Sequence, residues 1–312
     1  MSVKRYTIAS LAGDGVGPEL VAESTRLVAA VARLHGFVVD DVHPAFGGEA
    51  FVRHGHPLPR STRDACLAAD AVLVGAPRDP ALEHLAAELD LRARVTWSRG
   101  RGGVDVLVVS PTDDASGSWA AERAFELARR RRGRIASVGD AAWSATAAAA
   151  AEAHDGVEHE HLGVASGLTA LAFDRGRFDV VVAPRVVAEA LADVAGSTEQ
   201  GPAVVAEGRL AAHGPGLFWP VHGPARAIAG QGVANPSSML LAAALLLGVG
   251  LREEGAASTL CGAVLHALGN GAVPPDVSER RVGATTRDFT SVVLHELPHS
   301  MTNAEFYREA VA

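Results

Sequence analysis

Two of the side chains that most often move protons in catalysis, lysine and tyrosine, are nearly absent from this sequence. Lys4 is its one lysine, and Tyr6 and Tyr307 are its two tyrosines. The remaining basic residues are arginines, which clamp anions but stay protonated and cannot serve as a base. Carboxylates are the main acid–base stock. Asp113, Asp114, Asp140 and Asp193, together with His222, are candidate groups, since two carboxylates with pKa values pushed apart suit general acid and base work. Nothing in their spacing selects among them. Glu189 and Asp193 stand four apart in a helical stretch, so both fall on one face and could ligate Mg²⁺, an ion that takes one or two protein carboxylates and keeps several waters. His154, Asp155, Glu158, His159, Glu160 and His161 form a second cluster, of transition-metal ligand types.

These residues need elements to position them. Tyr6 to Ala12 reads as an apolar strand that enters the turn Gly13-Asp14-Gly15-Val16-Gly17-Pro18-Glu19, and Leu20 to Leu34 then has helical spacing. Pro18 suits the first helical turn and Glu19 its positive end. Strands are expected at Val38 to Val42, Ala71 to Gly75, Val104 to Val109, Arg134 to Val138 and Phe178 to Ala183. Helices are expected at Pro59 to Ala69, Ser118 to Arg132, Ala141 to Ala153, Arg185 to Val194, Asn235 to Gly248 and Thr285 to Leu297. Such alternation predicts an α/β fold with mostly parallel sheets flanked by helices. The glycines of Ser98 to Gly103 mark a domain boundary, and Gly201 to Gly216, rich in Gly, Ala and Pro, reads as the return linker.

Composition narrows the class. The chain has 312 residues, 48% hydrophobic and 21% charged, with a formal charge of −8. That describes a globular protein with a large core and no basic field for nucleic acid. The run Met239 to Val249 is too short for the roughly 20 residues of a bilayer span, so it reads as a buried helix. Cys66 and Cys261 form no metal or redox motif, and the expected location is cytoplasmic.

Three stretches carry a resemblance. Gly13 to Glu19 resembles a GDGIGPE turn. Gly48 to Pro59 with Ala65 to Gly75 resembles a stretch ending in LP and then ACKAADAVLLGA. Val221-His222-Gly223-Pro224-Ala225-Arg226-Ala227-Ile228-Ala229-Gly230-Gln231-Gly232-Val233-Ala234-Asn235-Pro236 is similar to VHGSAPDIAGKGIANP. All three are marks of the β-decarboxylating dehydrogenases, the isocitrate and isopropylmalate dehydrogenase family. The resemblance implies a two-domain α/β subunit, with residues 1–99 and 200–312 as a large nucleotide-binding domain and 100–199 as a small dimerisation domain. It implies a homodimer made through the middle domain, and NAD or NADP at the interdomain cleft; an intact homologue is the alternative partner if the chain is a regulatory subunit. Gly13, Gly15, Gly75, His222, Gly223, Ala225, Ala227, Ile228 and Asn235 are then the cofactor-binding positions. Ala227 stands where NAD users carry an Asp and NADP users a Lys, so the choice of dinucleotide is open. Arg226, Arg280 or Arg281 could favour a phosphate.

The same resemblance implies substrate-clamping arginines, a divalent metal, a lysine base and a tyrosine acid. At the clamp positions stand Ala86 and Thr96, with Arg92 and Arg94 nearby in a shifted register. Ser110 replaces a third arginine, and the tyrosine that should follow is absent. Asp140 occupies the lysine position. The three metal aspartates correspond to Ala165, Glu189 and Asp193. Two readings follow: a binding or regulatory paralogue that keeps the fold and the dinucleotide site, or a reprogrammed NAD(P)-dependent oxidoreductase or non-redox enzyme, with Asp140, Arg92 and Arg94 among its candidate groups.

Overall fold

The computed structural model describes residues 3–75, 80–100, 104–197, 203–271, 274–276 and 283–309, the side chains of Pro80, Arg175 and 301–309 excepted. In chain order the elements begin β1 (Arg5–Leu11), α1 (Gly17–Leu34), β2 (Val38–Val42), α2 (Gly48–His54), α3 (Arg60–Ala68), β3 (Ala71–Val74) and α4 (Pro80–Glu88). They continue β4 (Leu91–Arg99), β5 (Asp105–Pro111), α5 (Gly117–Arg129), β6 (Arg134–Val138), α6 (Ala141–Ala151), β7 (Glu158–Leu162), α7 (Val164–Phe173), β8 (Val180–Val182) and α8 (Arg185–Gly196). The last are β9 (Val204–Ala211), β10 (Gly216–Pro220), α9 (Ser237–Leu245), α10 (Glu254–Gly269) and α11 (Thr286–Glu309). No described helix is long and apolar enough to cross a membrane.

Two compact units divide the chain: Met1–Asp90 with His213–Ala312, and Leu91–Ala212. In the first, strand order is β2-β1-β3-β10, all parallel. The four residues of β3, Ala-Val-Leu-Val, are all buried, as expected of a parallel strand covered on both faces. On α1 the residues Leu20, Leu27, Val28 and Val31 make the buried stripe. The run Met239 to Leu247 is apolar all round and at most 1% exposed, so α9 and the π-helical turn after it form the centre of this unit. Each such leucine contributes about 2 kcal/mol by leaving water.

The second unit has strand order β9-β4-β5-β8-β6-β7. Strands β9, β4 and β5 run antiparallel, while β5, β8, β6 and β7 are parallel. Val106, Val108, Ala136, Val138 and Val181 pack with Phe178, Leu171 and Leu191 into its core. Two sequence expectations fall on these strands. Within the stretch read as the return linker, Val204–Ala211 is strand β9, paired with β4, and the chain passes back to the first unit at 212/213. Arg99 lies in β4, where a boundary glycine run was expected to begin, and β4 and β9 belong by hydrogen bonding to the second unit's sheet.

Candidate functional site

In the first unit Leu11 pairs with Val74, and Leu73 with Phe218, in parallel register. The segments after β1, β3 and β10 therefore leave from one carboxyl edge, where open α/β sheets bind ligands. Gly13 and Gly15 both have positive φ, at 69° and 63°. The Val16 amide donates to the carbonyl of Pro224 at 2.9 Å, and a β-carbon on Gly15 would lie 1.8 Å from that oxygen. Gly75 is equally constrained, since a β-carbon there would come within 2.7 Å of the Ala12 carbonyl. Asp14 accepts from the Gly48 amide at 2.8 Å and from Arg226 at 2.9 Å. At the far end of the loop Thr286 donates its amide to Gly232 and its hydroxyl to Ala234. The loop from His222 to Asn235 is thus held in place by its own unit.

The polar atoms of this loop can be followed one by one. His222 Nδ1 lies 3.0 Å from the Gly223 carbonyl, which can only accept, so Nδ1 is the donor there and Nε2 is the nitrogen turned toward other partners. That Nε2 is buried and has no protein partner. Ala225 sits at φ 39°, a left-handed conformation unusual for a residue with a β-carbon. Ala227 and Ile228 form a short 3₁₀ turn with Arg226, and Gln231 donates to the Ala227 carbonyl. Asn235 is committed on both sides: its Oδ1 accepts from the Ser237 amide and its Nδ2 donates to Asp276. The edge therefore offers backbone groups and one orphaned imidazole nitrogen, which fit a nucleoside, but no carboxylate at position 227 to grip ribose hydroxyls. Arg280 and Arg281 lie outside the described residues.

In the second unit, the carboxyl ends of β5, β6 and β8 meet the starts of α5, α6 and α8 around a cavity of about 570 Å³. Asp113, Asp114, Asp140, Trp143 and Arg185 line it. Asp140 caps α6, accepting the Trp143 amide at 2.9 Å. Asp113 accepts the amide and hydroxyl of Ser116. The Ser116 hydroxyl bond is the main reason the Asp113 carboxyl is held below its ordinary pKa, with the nearby Arg92 charge adding to it.

The family model for isocitrate/isopropylmalate dehydrogenases matches residues 7–97 and 98–293. The chain is 33% identical to a 3-isopropylmalate dehydrogenase of a Synechococcus strain, over 86% of this chain and 92% of that one. It is 35% identical to a 3-isopropylmalate dehydrogenase of Salinibacter ruber, over 78% of this chain and 82% of that one. The chain belongs to the isocitrate/isopropylmalate dehydrogenase family. Among solved structures, a β-decarboxylating dehydrogenase of Thermococcus kodakarensis superposes with a TM-score of 0.79 at 26% identity, covering 94% of this chain and 96% of that one.

Within this isocitrate/isopropylmalate dehydrogenase fold the other candidates separate. Arg94 of β4 pairs with Glu207 of β9 and lies 3.5 Å from Glu189 of α8, so two carboxylates already occupy it. Glu189 is correspondingly tied to a cation, and Asp193 is exposed a turn away. Among the described residues no third ligand-type side chain joins Glu189 and Asp193. The main-chain carbonyl of Arg92 accepts from the Thr112 amide. Ala86, Thr96 and Ser110 are all buried. The histidine cluster also disperses: His159 and His161 share the Ser137 hydroxyl at 2.9 and 2.8 Å, His154 bonds the Ala150 carbonyl, and Glu160 pairs with Arg177. Burial lowers the His159 pKa.

Lys4 lies at the amino end of β1, opposite the loop edge, and its ammonium bonds Glu253 at 2.8 Å. Tyr6 donates to the same Glu253 oxygen at 2.7 Å. Three contributors to the loop edge carried no role in the sequence reading: Asp14 as a bridge, Thr286 as a clamp and Asp276 as the partner of Asn235. Asp14 lay inside the glycine turn, but its partners come from far along the chain, so only its acidity was visible.

Proposed function

We propose that this chain is a dinucleotide-binding member of its family that does not carry out oxidative decarboxylation of isocitrate or isopropylmalate, and that it acts as a binding or regulatory subunit, in a homodimer or beside an intact homologue. One observation carries the reading. The sole lysine and one of the two tyrosines are bound to Glu253 at the amino edge of the sheet, while Asp140, at the position the resemblance gives to the lysine base, caps a helix. General acid and base groups each supply about 10²- to 10⁴-fold, so losing both, with clamp and metal ligands, removes the parental reaction. NAD or NADP, when bound, would supply a hydride acceptor. This chain's residues would do the holding: backbone groups of Gly13 to Gly15 and Gly223 to Ile228, with His222 Nε2 as a hydrogen-bond partner for a hydroxyl or amine. For Mg²⁺ the residues fit poorly, because Glu189 is paired with Arg94 and has only Asp193 beside it.

Calorimetric titration with NAD⁺ and NADP⁺, with and without Mg²⁺, tests the binding half, and an assay of nicotinamide reduction with isopropylmalate and isocitrate tests the other. Binding without turnover is the expected result. Turnover overturns the loss of activity, and absence of binding at millimolar dinucleotide overturns the cofactor assignment.

The cavity bounded by Asp113, Asp114, Asp140 and Arg185 favours a second reading, a reprogrammed enzyme, since carboxylates beside a guanidinium at the ends of parallel strands can divide acid and base roles. A screen of hydroxy acids and amines against the wild type and Asp114→Asn separates the two readings: a product that requires Asp114 favours the enzyme.

A further inference from the structure

We propose that the outer face of α11 holds a divalent transition-metal ion, with His295, Glu296 and His299 as its ligands. The sequence there runs His295-Glu296-Leu297-Pro298-His299, and a spacing of four on a helix puts both imidazoles on one face. One ligand atom from each of the three residues lies within 4.8 Å of the other two, and this is the one such group of three among the described residues. His295 Nδ1 is 3.5 Å from Glu296 Oε1, and His299 Nδ1 is 4.0 Å from Glu296 Oε2. Metal–nitrogen bonds of about 2.0 to 2.1 Å in a tetrahedron set ligand atoms about 3.3 Å apart, so only the two imidazoles need to move inward. Both are free to do so, at 78% and 69% exposed, whereas Glu296 is held at 19%.

The charge balance supports the assignment. Every ion-pair partner of Glu296 among the described residues is an imidazole, from His266, His295 or His299, and none is a lysine or arginine. A divalent ion seated among these groups would supply the charge that no lysine or arginine among the described residues brings to Glu296. His266 of α10 brings its Nε2 to 3.4 Å from Glu296 Oε2, with Asn270 Nδ2 at 2.5 Å from the same nitrogen, and so is the neighbour through which α10 reaches the site. Two imidazoles and one carboxylate select Zn²⁺, Co²⁺ or Ni²⁺ over Mg²⁺, and the ion would join the outer half of α11 to α10 through Glu296 and His266.

The test uses the full-length chain without an affinity tag, stripped with chelator. Titration with Zn²⁺ by calorimetry, and with Co²⁺ by visible absorption, is expected to give one ion per chain, with Zn²⁺ displacing Co²⁺ and excess Mg²⁺ displacing neither. His295→Ala with His299→Ala should lower Zn²⁺ affinity at least a hundredfold. His266→Ala should lower it about tenfold. A His159→Ala and His161→Ala double variant should bind as the wild type does. All sites but His266 are on exposed side chains or an edge strand, and circular dichroism checks that each variant is folded. Absence of one-to-one binding in the wild type, or unchanged affinity in the His295 and His299 double variant, overturns the site. Unchanged affinity in His266→Ala overturns its part in it.

Discussion

The amide of Val16 donates to the carbonyl of Pro224 at 2.9 Å, which makes the turn after β1 and the loop after β10 a single assembly. Each segment alone is a run of small residues with little side-chain surface to fix it. Joined, they present backbone groups in one arrangement.

Gly15→Ala is expected to damage that assembly on two counts. Its φ of 63° disfavours a β-carbon, and the new methyl would lie 1.8 Å from the Pro224 carbonyl, which as backbone cannot turn aside. The left-handed conformation alone costs an alanine about 1 to 2 kcal/mol, and the collision adds to it. Urea unfolding should show the loss, and dinucleotide titration should show weakened binding.

Asp140→Ala should lower stability by about 1 kcal/mol, through loss of the cap on α6, whereas Asp140→Ser should retain most of it. Thermal denaturation of the two variants distinguishes them. Equal loss in both would mean that the capping bond is not what Asp140 contributes.

The ionic cluster of the second unit should set its response to acid. Burial pushes the Asp105 carboxyl up, but the charges of Arg131 and Arg99 and the Trp97 indole outweigh it and hold the pKa well below the ordinary carboxylate range. With the folded value under the unfolded one, the stability it contributes is complete above about pH 4 and disappears as pH falls toward the folded value. Asp105→Asn should therefore destabilise at pH 7 and much less at pH 3, read from urea midpoints at both.

Asp179 is fully buried, accepting from Arg131 Nε at 2.6 Å and from the Arg132 amide at 2.6 Å. Its replacement by asparagine leaves Arg131 half-buried with one carboxylate partner fewer, and should cost about 3 kcal/mol in unfolding free energy.

Burial pushes the Cys66 thiol up to about 12. Cys66 and Cys261 are both buried and unbridged. A disulfide reagent at pH 8 should release no chromophore from the native protein and react with both thiols once guanidinium unfolds it.

Much of the fold was legible in the residues. The strands Val38–Val42 and Arg134–Val138 match their expected bounds, and α1, α3, α6 and α8 fall within a few residues of theirs, because apolar spacing and the Gly, Pro and Asp that bound them act over short distances. The missed elements have the opposite character. Val204–Ala211 contains Gly208 and small residues that read as linker, and it is a strand only because β4 supplies a partner more than a hundred residues away. The family, likewise, was readable from the His222 to Pro236 loop and the glycine turn.

What the sequence determined by itself was therefore inventory and local shape: one lysine, two tyrosines, those elements that local spacing marks, and the loops of a dehydrogenase family. Where those groups stand was decided by tertiary structure. Lys4 and Tyr6 share Glu253 across some 250 residues of chain, Arg94 takes up Glu207 and Glu189, and the Pro224 carbonyl finds Val16. The partner of a charge or a backbone amide is set by which strands lie side by side, and that depends on pairings distant in sequence that no local pattern encodes.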